Sequence, residues 1–159
     1  GEAPEGLVRR LALGKGAAIR AREAEDPRPV LAADTIVALD GAVLGKPQDR
    51  AHALEMLRRL SGRTHEVLTA VALLPRGGTP RSVVDRSLVT FRTLGAGEAE
   101  AYWETGEPRD KAGAYGIQGR AGIFVTRLEG SYTGVMGLPL APTAQLLAEL
   151  GVALWETPS

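Results

Sequence analysis

The stretch VLAADTIVALDG, residues 30–41, predicts the first hairpin of a β-sheet. Its first ten residues are almost all apolar, which is typical of a buried strand, and Asp34 is the charged exception. Asp40-Gly41 then favours a type I′ turn, and the short return arm 42–44 ends at Gly45-Lys46-Pro47. The hairpin should therefore bring Lys46 back toward the strand that carries Asp34.

Helical and extended patterns alternate along the rest of the chain. Apolar spacing and Gly or Pro breaks indicate, in order, a helix 4–25, strands 30–39 and 42–44, a helix 49–60, strands 64–74 and 82–94, a helix 98–104, a Gly-rich loop 110–122, a strand 123–128, a loop 130–137 and a helix 139–150. This order predicts an α/β fold, α+β in arrangement, around a mixed sheet. The sequence has no repeat or linker, so we expect a single domain over residues 1–159.

The composition argues against several classes of function. Of the 159 residues 44% are hydrophobic, and 19 basic residues balance 19 acidic ones. Zero net charge argues against bulk binding to nucleic acid or to an anionic membrane, although a local cluster can still hold a small anion. The absence of cysteine removes disulfides, thiolate metal sites and cysteine nucleophiles. No apolar run is long enough to cross a membrane and no signal peptide is visible, so we expect a cytoplasmic protein.

Asp34 is the first candidate for chemistry. A carboxylate inside an apolar strand is costly to bury unless a cation, a metal ion or a ligand compensates its charge. A structural interpretation is equally open, in which Asp34 lies at a strand end and caps a neighbouring turn. Lys46 poses a similar choice, since it is either a ligand-binding residue held between Gly45 and Pro47 or an ordinary surface lysine.

The segment DKAGAYGIQG, residues 110–119, presents charged and amide side chains from a glycine-rich backbone. Such loops often bind ligands, and a simple bend would give no reason for Asp110, Lys111 and Gln118 within it. With Asp34 and Lys46, these residues suggest one site that has acids for a metal ion, lysines for phosphate and an amide for the edge of a base.

At this point the sequence resembles the Maf family, also called septum-formation proteins. Five blocks carry the resemblance, in family order: Ala33-Asp34-Thr35-Ile36-Val37, Leu44-Gly45-Lys46-Pro47, Leu60-Ser61-Gly62-Arg63-Thr64-His65, residues 110–119, and Gly137-Leu138-Pro139-Leu140. The resemblance implies an elongated fold like that of the inosine triphosphate pyrophosphatases, with a central cleft, and often a homodimer. It also implies that a divalent cation, Mg²⁺ or Mn²⁺, assists hydrolysis of nucleoside triphosphates between the α and β phosphates.

The resemblance also suggests roles for individual charged residues. The family's catalytic acid corresponds to Asp34, which we expect to hold the metal ion together with Asp110. Whether Asp34 is a base, a metal ligand or both stays open. The family's phosphate-site lysines correspond to Lys15 and Lys46, and Lys111 adds a third positive charge for the phosphates.

Two further positions correspond to residues tied to base choice in the family, Thr35 and Gln118. The Gln form resembles the branch that acts on dTTP and UTP. We hypothesise that the Gln118 amide accepts from N3–H and donates to O4, an edge that uracil and thymine share.

The N-terminus departs from the family pattern and keeps two alternatives open. Family members begin with a Ser-Pro-Arg-Arg loop and a downstream Glu that serve phosphate and metal, and neither occurs in the 159 residues. We therefore expect this loop to be absent. One alternative is a non-enzymatic nucleotide-binding regulator of septum formation or cell division. The other is a housecleaning pyrophosphatase for noncanonical or purine nucleotides.

Overall fold

The predicted hairpin begins the sheet. The computed structural model describes residues 1–156 and forms strands β1 (Val30–Leu39) and β2 (Ala42–Leu44), with the expected bounds. Asp40 and Gly41 have φ angles of 52° and 78°, and positive values at both positions are what a type I′ turn requires. The turn chemistry read from the sequence therefore sets the register of this hairpin.

Three more strands complete the sheet: β3 (Thr64–Leu74), β4 (Arg81–Phe91) and β5 (Val125–Glu129). The strand order is β2-β1-β3-β4-β5, and every pairing in residues 1–156 is antiparallel. The α/β class is confirmed, whereas the expected mixed sheet is corrected to an antiparallel one. For β1–β2 and β3–β4 the physical reason is local, because these strands are joined by turns too short for a parallel crossover.

Five helices pack around the sheet: α1 (Pro4–Arg22), α2 (Arg50–Leu60), α3 (Glu98–Glu104), α4 (Tyr132–Met136) and α5 (Leu140–Glu149). The segment 130–137, expected as a loop, contains α4, because the Ser131 hydroxyl caps it by accepting from the Gly134 N–H at 3.0 Å. The Gly-rich segment folds as three short 3-10 turns, Glu107–Asp110, Ala112–Ala114 and Arg120–Phe124. Within residues 1–156, no helix combines the length and the hydropathy needed to cross a bilayer.

The sheet has a hydrophobic core on each face. Helix α1 covers one face, where Val8 and Ala12 pack with Leu68 and Ala70. On the other face, α2 and the 3-10 turns enclose a larger core that includes the fully buried Phe91. The two cores fix α1 and the Gly-rich segment on opposite sides of β1.

One edge of the sheet is only partly covered. Strand β2 pairs with Val37, Ala38 and Leu39 alone, so it leaves the Val30–Ile36 part of β1 without a neighbouring strand on that side. Side chains of consecutive strand residues point to opposite faces, and at an open edge both sets can reach the same space. This edge is where the candidate site lies.

Candidate active site

A cavity of about 570 Å³ opens along the uncovered edge of β1. It gathers six of the seven residues predicted from the sequence: Asp34, Thr35, Lys46, Asp110, Lys111 and Gln118. The seventh, Lys15, reaches the cavity indirectly through an ion pair with Asp34. Residues that are up to 103 positions apart in the sequence, Lys15 and Gln118, thus belong to one site.

The carboxylate of Asp34 is paired with the ammonium group of Lys15. The distance from Lys15 Nζ to Asp34 Oδ1 is 3.0 Å, and the same oxygen accepts from the Thr35 N–H at 3.0 Å. Asp34 lies in the middle of β1, opposite Ala70 of β3, so the interpretation as a turn cap at a strand end is wrong. Its side chain is 18% exposed whereas that of Lys15 is 58% exposed, which leaves the lysine room to move.

Asp34 and Thr35 approach the cavity from opposite faces of the sheet. Asp34 is on the α1 face, where Lys15 lies. Thr35 is on the other face, and its hydroxyl lies 2.9 Å from that of Thr69, which in turn donates to the carbonyl of Gly134 in α4. The open edge therefore separates the Asp34–Lys15 ion pair, which we call the ionic end of the cavity, from the Thr35–Thr69 hydroxyl pair, which we call its uncharged end.

Lys46 is placed by the hairpin and by the Gly-rich segment. The register pairs Val37 with Leu44, where β2 ends, and Lys46 follows two residues later. The Gly113 N–H donates to the carbonyl of Gly45 at 3.1 Å and ties the two segments together. This bond brings Lys46 and the Gly-rich segment to the same side of the cavity.

Glu107 is a cavity residue that the sequence analysis missed. Its two carboxylate oxygens accept from the Arg120 N–H at 3.1 and 3.0 Å, and a side chain at Gly119 would collide with that carboxylate. The bond closes the turn that carries Gln118. A carboxylate at the start of a Gly-rich segment was a visible signal, because such groups often accept from free backbone N–H groups.

The buried His65 also contacts the Gly-rich segment. Its Nε2 lies 2.6 Å from the Tyr115 hydroxyl, and the imidazole is buried with ring-edge contacts to Phe91 and Tyr115. Burial lowers the pKa of His65 to about 4, so the ring is neutral near pH 7. The sequence interpretation of His65 as a strand-entry residue gives its position in β3 but misses this bond.

Gln118 lies against α4 at the uncharged end of the cavity. Its amide nitrogen donates to Met136 Sδ at 2.7 Å, and Met136 and Gly137 both line the cavity. A β-carbon placed at Gly137 would lie 3.7 Å from the Thr35 hydroxyl. Thr35 and Gln118 therefore border the same wall, which α4 forms.

The carboxylates of the cavity suit a hard cation. Asp34, Glu107 and Asp110 line it, and carboxylate oxygens are the ligands that Mg²⁺ and Mn²⁺ prefer. In the part of the chain that the structure describes, no three acidic or histidine side chains converge closely enough to form a metal cage.

The fold and the cavity define an α/β protein with a cleft suited to a phosphorylated ligand, since lysines, carboxylates, an amide and a hydroxyl all line it. The family model described as "Maf-like protein" matches residues 1–150. The chain belongs to the Maf family.

Curated relatives agree with this assignment. The chain is 56% identical over 156 residues to the "dTTP/UTP pyrophosphatase" of Alkalilimnicola ehrlichii, covering 95% of this chain and 76% of that protein. It is 57% identical over 152 residues to the protein of the same name in Methylococcus capsulatus, covering 96% and 74%. A "Nucleoside triphosphate pyrophosphatase" of Xylella fastidiosa is 54% identical over 148 residues, covering 92% and 78%.

Proposed function

We propose that this chain hydrolyses nucleoside triphosphates, dTTP and UTP above all, to the monophosphate and pyrophosphate with a divalent metal ion. The observation that carries the proposal is the cavity that joins the Asp34–Lys15 pair to Thr35 and Gln118 across the open edge of β1. The names of the relatives from Alkalilimnicola ehrlichii and Methylococcus capsulatus support the same substrates.

The triphosphate binds at the ionic end and extends to the other lysines of the cavity. Lys46 and Lys111 line the cavity, and Lys15 reaches it through Asp34. Three ammonium groups offset the negative charge of a magnesium-bound triphosphate locally, although the protein as a whole is neutral. Lysine suits this task because its ammonium group is a mobile point charge that can follow the phosphates.

Asp34 receives a proton from the attacking water. The water oxygen bonds to the α-phosphorus, the bond from that phosphorus to the α–β bridging oxygen breaks, and pyrophosphate leaves with that oxygen. Asp34 and Asp110 would hold the metal ion, whose charge stabilises the phosphate oxygens in the transition state. Lys15 releases Asp34 as the substrate arrives and turns its ammonium group to the phosphates, which its exposure permits.

The base lies at the uncharged end, against Thr35, Gln118 and Met136. One N–H of the Gln118 amide points to Met136 Sδ, and the other remains for a carbonyl of the base. If Gln118→Ala leaves the preference for UTP over GTP intact, the amide does not read the base.

We also propose that the protein forms a homodimer, lies in the cytoplasm and has no nucleic-acid or membrane partner. Zero net charge supports the last point, and the family resemblance supports the dimer. Exposed apolar residues around α4, including Tyr132 and Leu140 at 49% and 56% exposure, offer a surface for a second copy.

Product analysis tests the reaction. The protein is incubated with Mg²⁺ or Mn²⁺ and UTP, dTTP, CTP or GTP, and the products are separated by chromatography. We expect monophosphate and pyrophosphate from UTP and dTTP, with at least a 100-fold loss in Asp34→Asn because the proton acceptor is gone. Asp40→Asn is the matched control, since Asp40 is a surface aspartate that pairs with Arg63.

Two outcomes contradict the proposal. Diphosphate and phosphate as products would place the cleavage between the β and γ phosphates. Tight triphosphate binding without turnover would identify a regulator rather than an enzyme.

A further inference from the structure

Thr69 makes two hydrogen bonds beneath the uncharged end of the cavity. It lies in β3 with no exposed surface, between Thr35 on β1 and the helix α4. Its hydroxyl donates to the Gly134 carbonyl at 2.6 Å and lies 2.9 Å from the Thr35 hydroxyl. The first of these bonds fixes the direction of the second.

The direction follows from counting protons. A hydroxyl group has one proton to donate, and a carbonyl oxygen can only accept. Because the proton of Thr69 is directed at the Gly134 carbonyl, Thr35 must donate its own proton to Thr69. The Thr35 hydroxyl is thereby left with electron pairs alone for any ligand in the cavity.

We propose that Thr69 is a positioning residue that makes Thr35 an obligate hydrogen-bond acceptor, and that this selects uracil and thymine over cytosine. Uracil and thymine present an N3–H donor, whereas N3 of cytosine carries an electron pair that would face the electron pairs of Thr35. The inference rests on the proposed function and adds the residue that sets discrimination among pyrimidines.

Gln118 alone cannot provide this discrimination. A side-chain amide can turn over and present either its oxygen or its nitrogen, so an isolated Gln can serve a carbonyl or an amino group equally well. In the structure its nitrogen is directed at Met136, on the wall that Thr35 also borders. Thr35 as acceptor and Gln118 as donor then match N3–H and O4, and only Thr35 is locked by a buried neighbour.

Substitutions of Thr69 distinguish the effect of its hydroxyl group from the effect of its side-chain shape. Thr69→Val keeps the branched side chain and removes the hydroxyl, while the Gly134 carbonyl keeps its bond from the Gly137 N–H at 3.0 Å. The released proton of Thr35 can then turn to the cavity and serve N3 of cytosine. We expect the ratio of kcat/KM for UTP to that for CTP to fall about tenfold or more in Thr69→Val, and to stay within about twofold in Thr69→Ser.

Two further variants test the alternative of a merely loosened α4. Ser131→Ala removes the cap of α4 without touching the Thr35–Thr69 bond, so it should lower both rates and leave the UTP-to-CTP ratio unchanged. Thr35→Val should lower the UTP-to-CTP ratio of kcat/KM as Thr69→Val does. The double variant should lower this ratio no further than Thr35→Val alone. A wild-type ratio in folded Thr69→Val, or the same loss of ratio in Thr69→Ser or Ser131→Ala, overturns the proposal.

A measurement on the unaltered protein covers the case in which Thr69→Val does not fold. We expect 3-methyl-UTP, which has no N3–H, to react at least about tenfold less efficiently than UTP, and equal turnover overturns the proposal.

If the unaltered protein releases no pyrophosphate from UTP or dTTP, the proposed function fails while the inference is still decided by binding. Calorimetric titration should then show UMP bound at least about tenfold more tightly than CMP, and equal affinities overturn it.

Discussion

At the scale of single residues, the Asp34–Lys15 pair is the feature on which the proposed chemistry depends. The carboxylate is mostly buried and the ammonium group is more than half exposed, so the lysine is the partner that can leave. Two residues on different elements, β1 and α1, thus form a pair in the free protein that the substrate would separate. In the proposed mechanism Lys15 would therefore have two successive anionic partners, the carboxylate and then a phosphate.

Replacement of Lys15 tests this exchange. Lys15→Gln keeps the length of the side chain nearly constant and removes its charge, so kcat/KM for UTP should fall about 10- to 100-fold. Arg10→Gln is the control, because Arg10 is on the same helix and pairs with Glu2 at the surface. Steady-state kinetics measure both variants, and equal activity of the two would show that Lys15 contributes nothing to the phosphate site.

At the scale of elements, the position of the Gly-rich segment depends on Gly113. Its φ of +69° is left-handed, and a β-carbon there would lie 3.0 to 3.1 Å from three side-chain atoms of Val37. Gly113→Ala should therefore destabilise the protein by about 2 to 3 kcal/mol and raise KM for UTP, since the bond to Gly45 also shifts.

Gly97→Ala distinguishes the effect of a positive φ angle from the effect of close packing against a neighbour. Gly97 also has a positive φ, +80°, but nothing lies within 4 Å of its β-carbon position. This variant should lose about 1 kcal/mol and keep its activity. Urea unfolding and kinetics on both variants make the comparison, and equal losses would contradict a packing role for Gly113.

The burial of His65 in β3, against Tyr115 of the Gly-rich segment, makes stability depend on pH. The folded-state pKa of about 4 lies below the reference value of 6.5, so the unfolded chain binds more protons between these values. The stabilisation is present above about pH 6.5 and is lost as the pH falls toward 4.

We expect His65 to account for a loss of about 2 kcal/mol in unfolding free energy between pH 7 and pH 5. His65→Asn should flatten this part of the profile, because the buried titrating group is removed. Urea unfolding at the two pH values makes the measurement, and an unaltered slope in His65→Asn would refute the assignment.

Some elements could be predicted from the sequence and others could not. The β1–β2 hairpin, α2 with its Asp49 cap and the Gly-rich segment were predictable, because apolar spacing and turn residues are local signals. Helix α4 was missed since Gly134 and two β-branched residues weaken a helical pattern only five residues long. The meeting of Asp34 with Lys15, the Glu107–Arg120 bond and the role of Thr69 join distant positions, which no local pattern encodes.

At the scale of the whole molecule, the cavity joins parts that are otherwise held apart by the sheet. Helix α1 brings Lys15 to one face of β1, and α4 and the Gly-rich segment bring Met136 and Gln118 to the other. A ligand along the open edge therefore touches elements from both sides. Binding of such a ligand would therefore hold α1 and α4 against β1.

This arrangement predicts strong stabilisation by an intact, uncleaved substrate. A UTP analogue with a methylene group between the α and β phosphorus atoms, bound with Mg²⁺ at about 100 times its Kd, should add about 2.7 kcal/mol. For a chain of this size that corresponds to a rise in Tm of about 5 to 10 °C. Uridine at the same concentration should raise it far less, because it reaches only the uncharged end. Thermal unfolding followed by circular dichroism measures both, and Lys46→Gln should reduce the effect of the analogue while leaving that of uridine unchanged. Equal shifts with the two ligands would mean that the ionic end of the cavity does not bind phosphate, and the division of the site into two ends would be wrong.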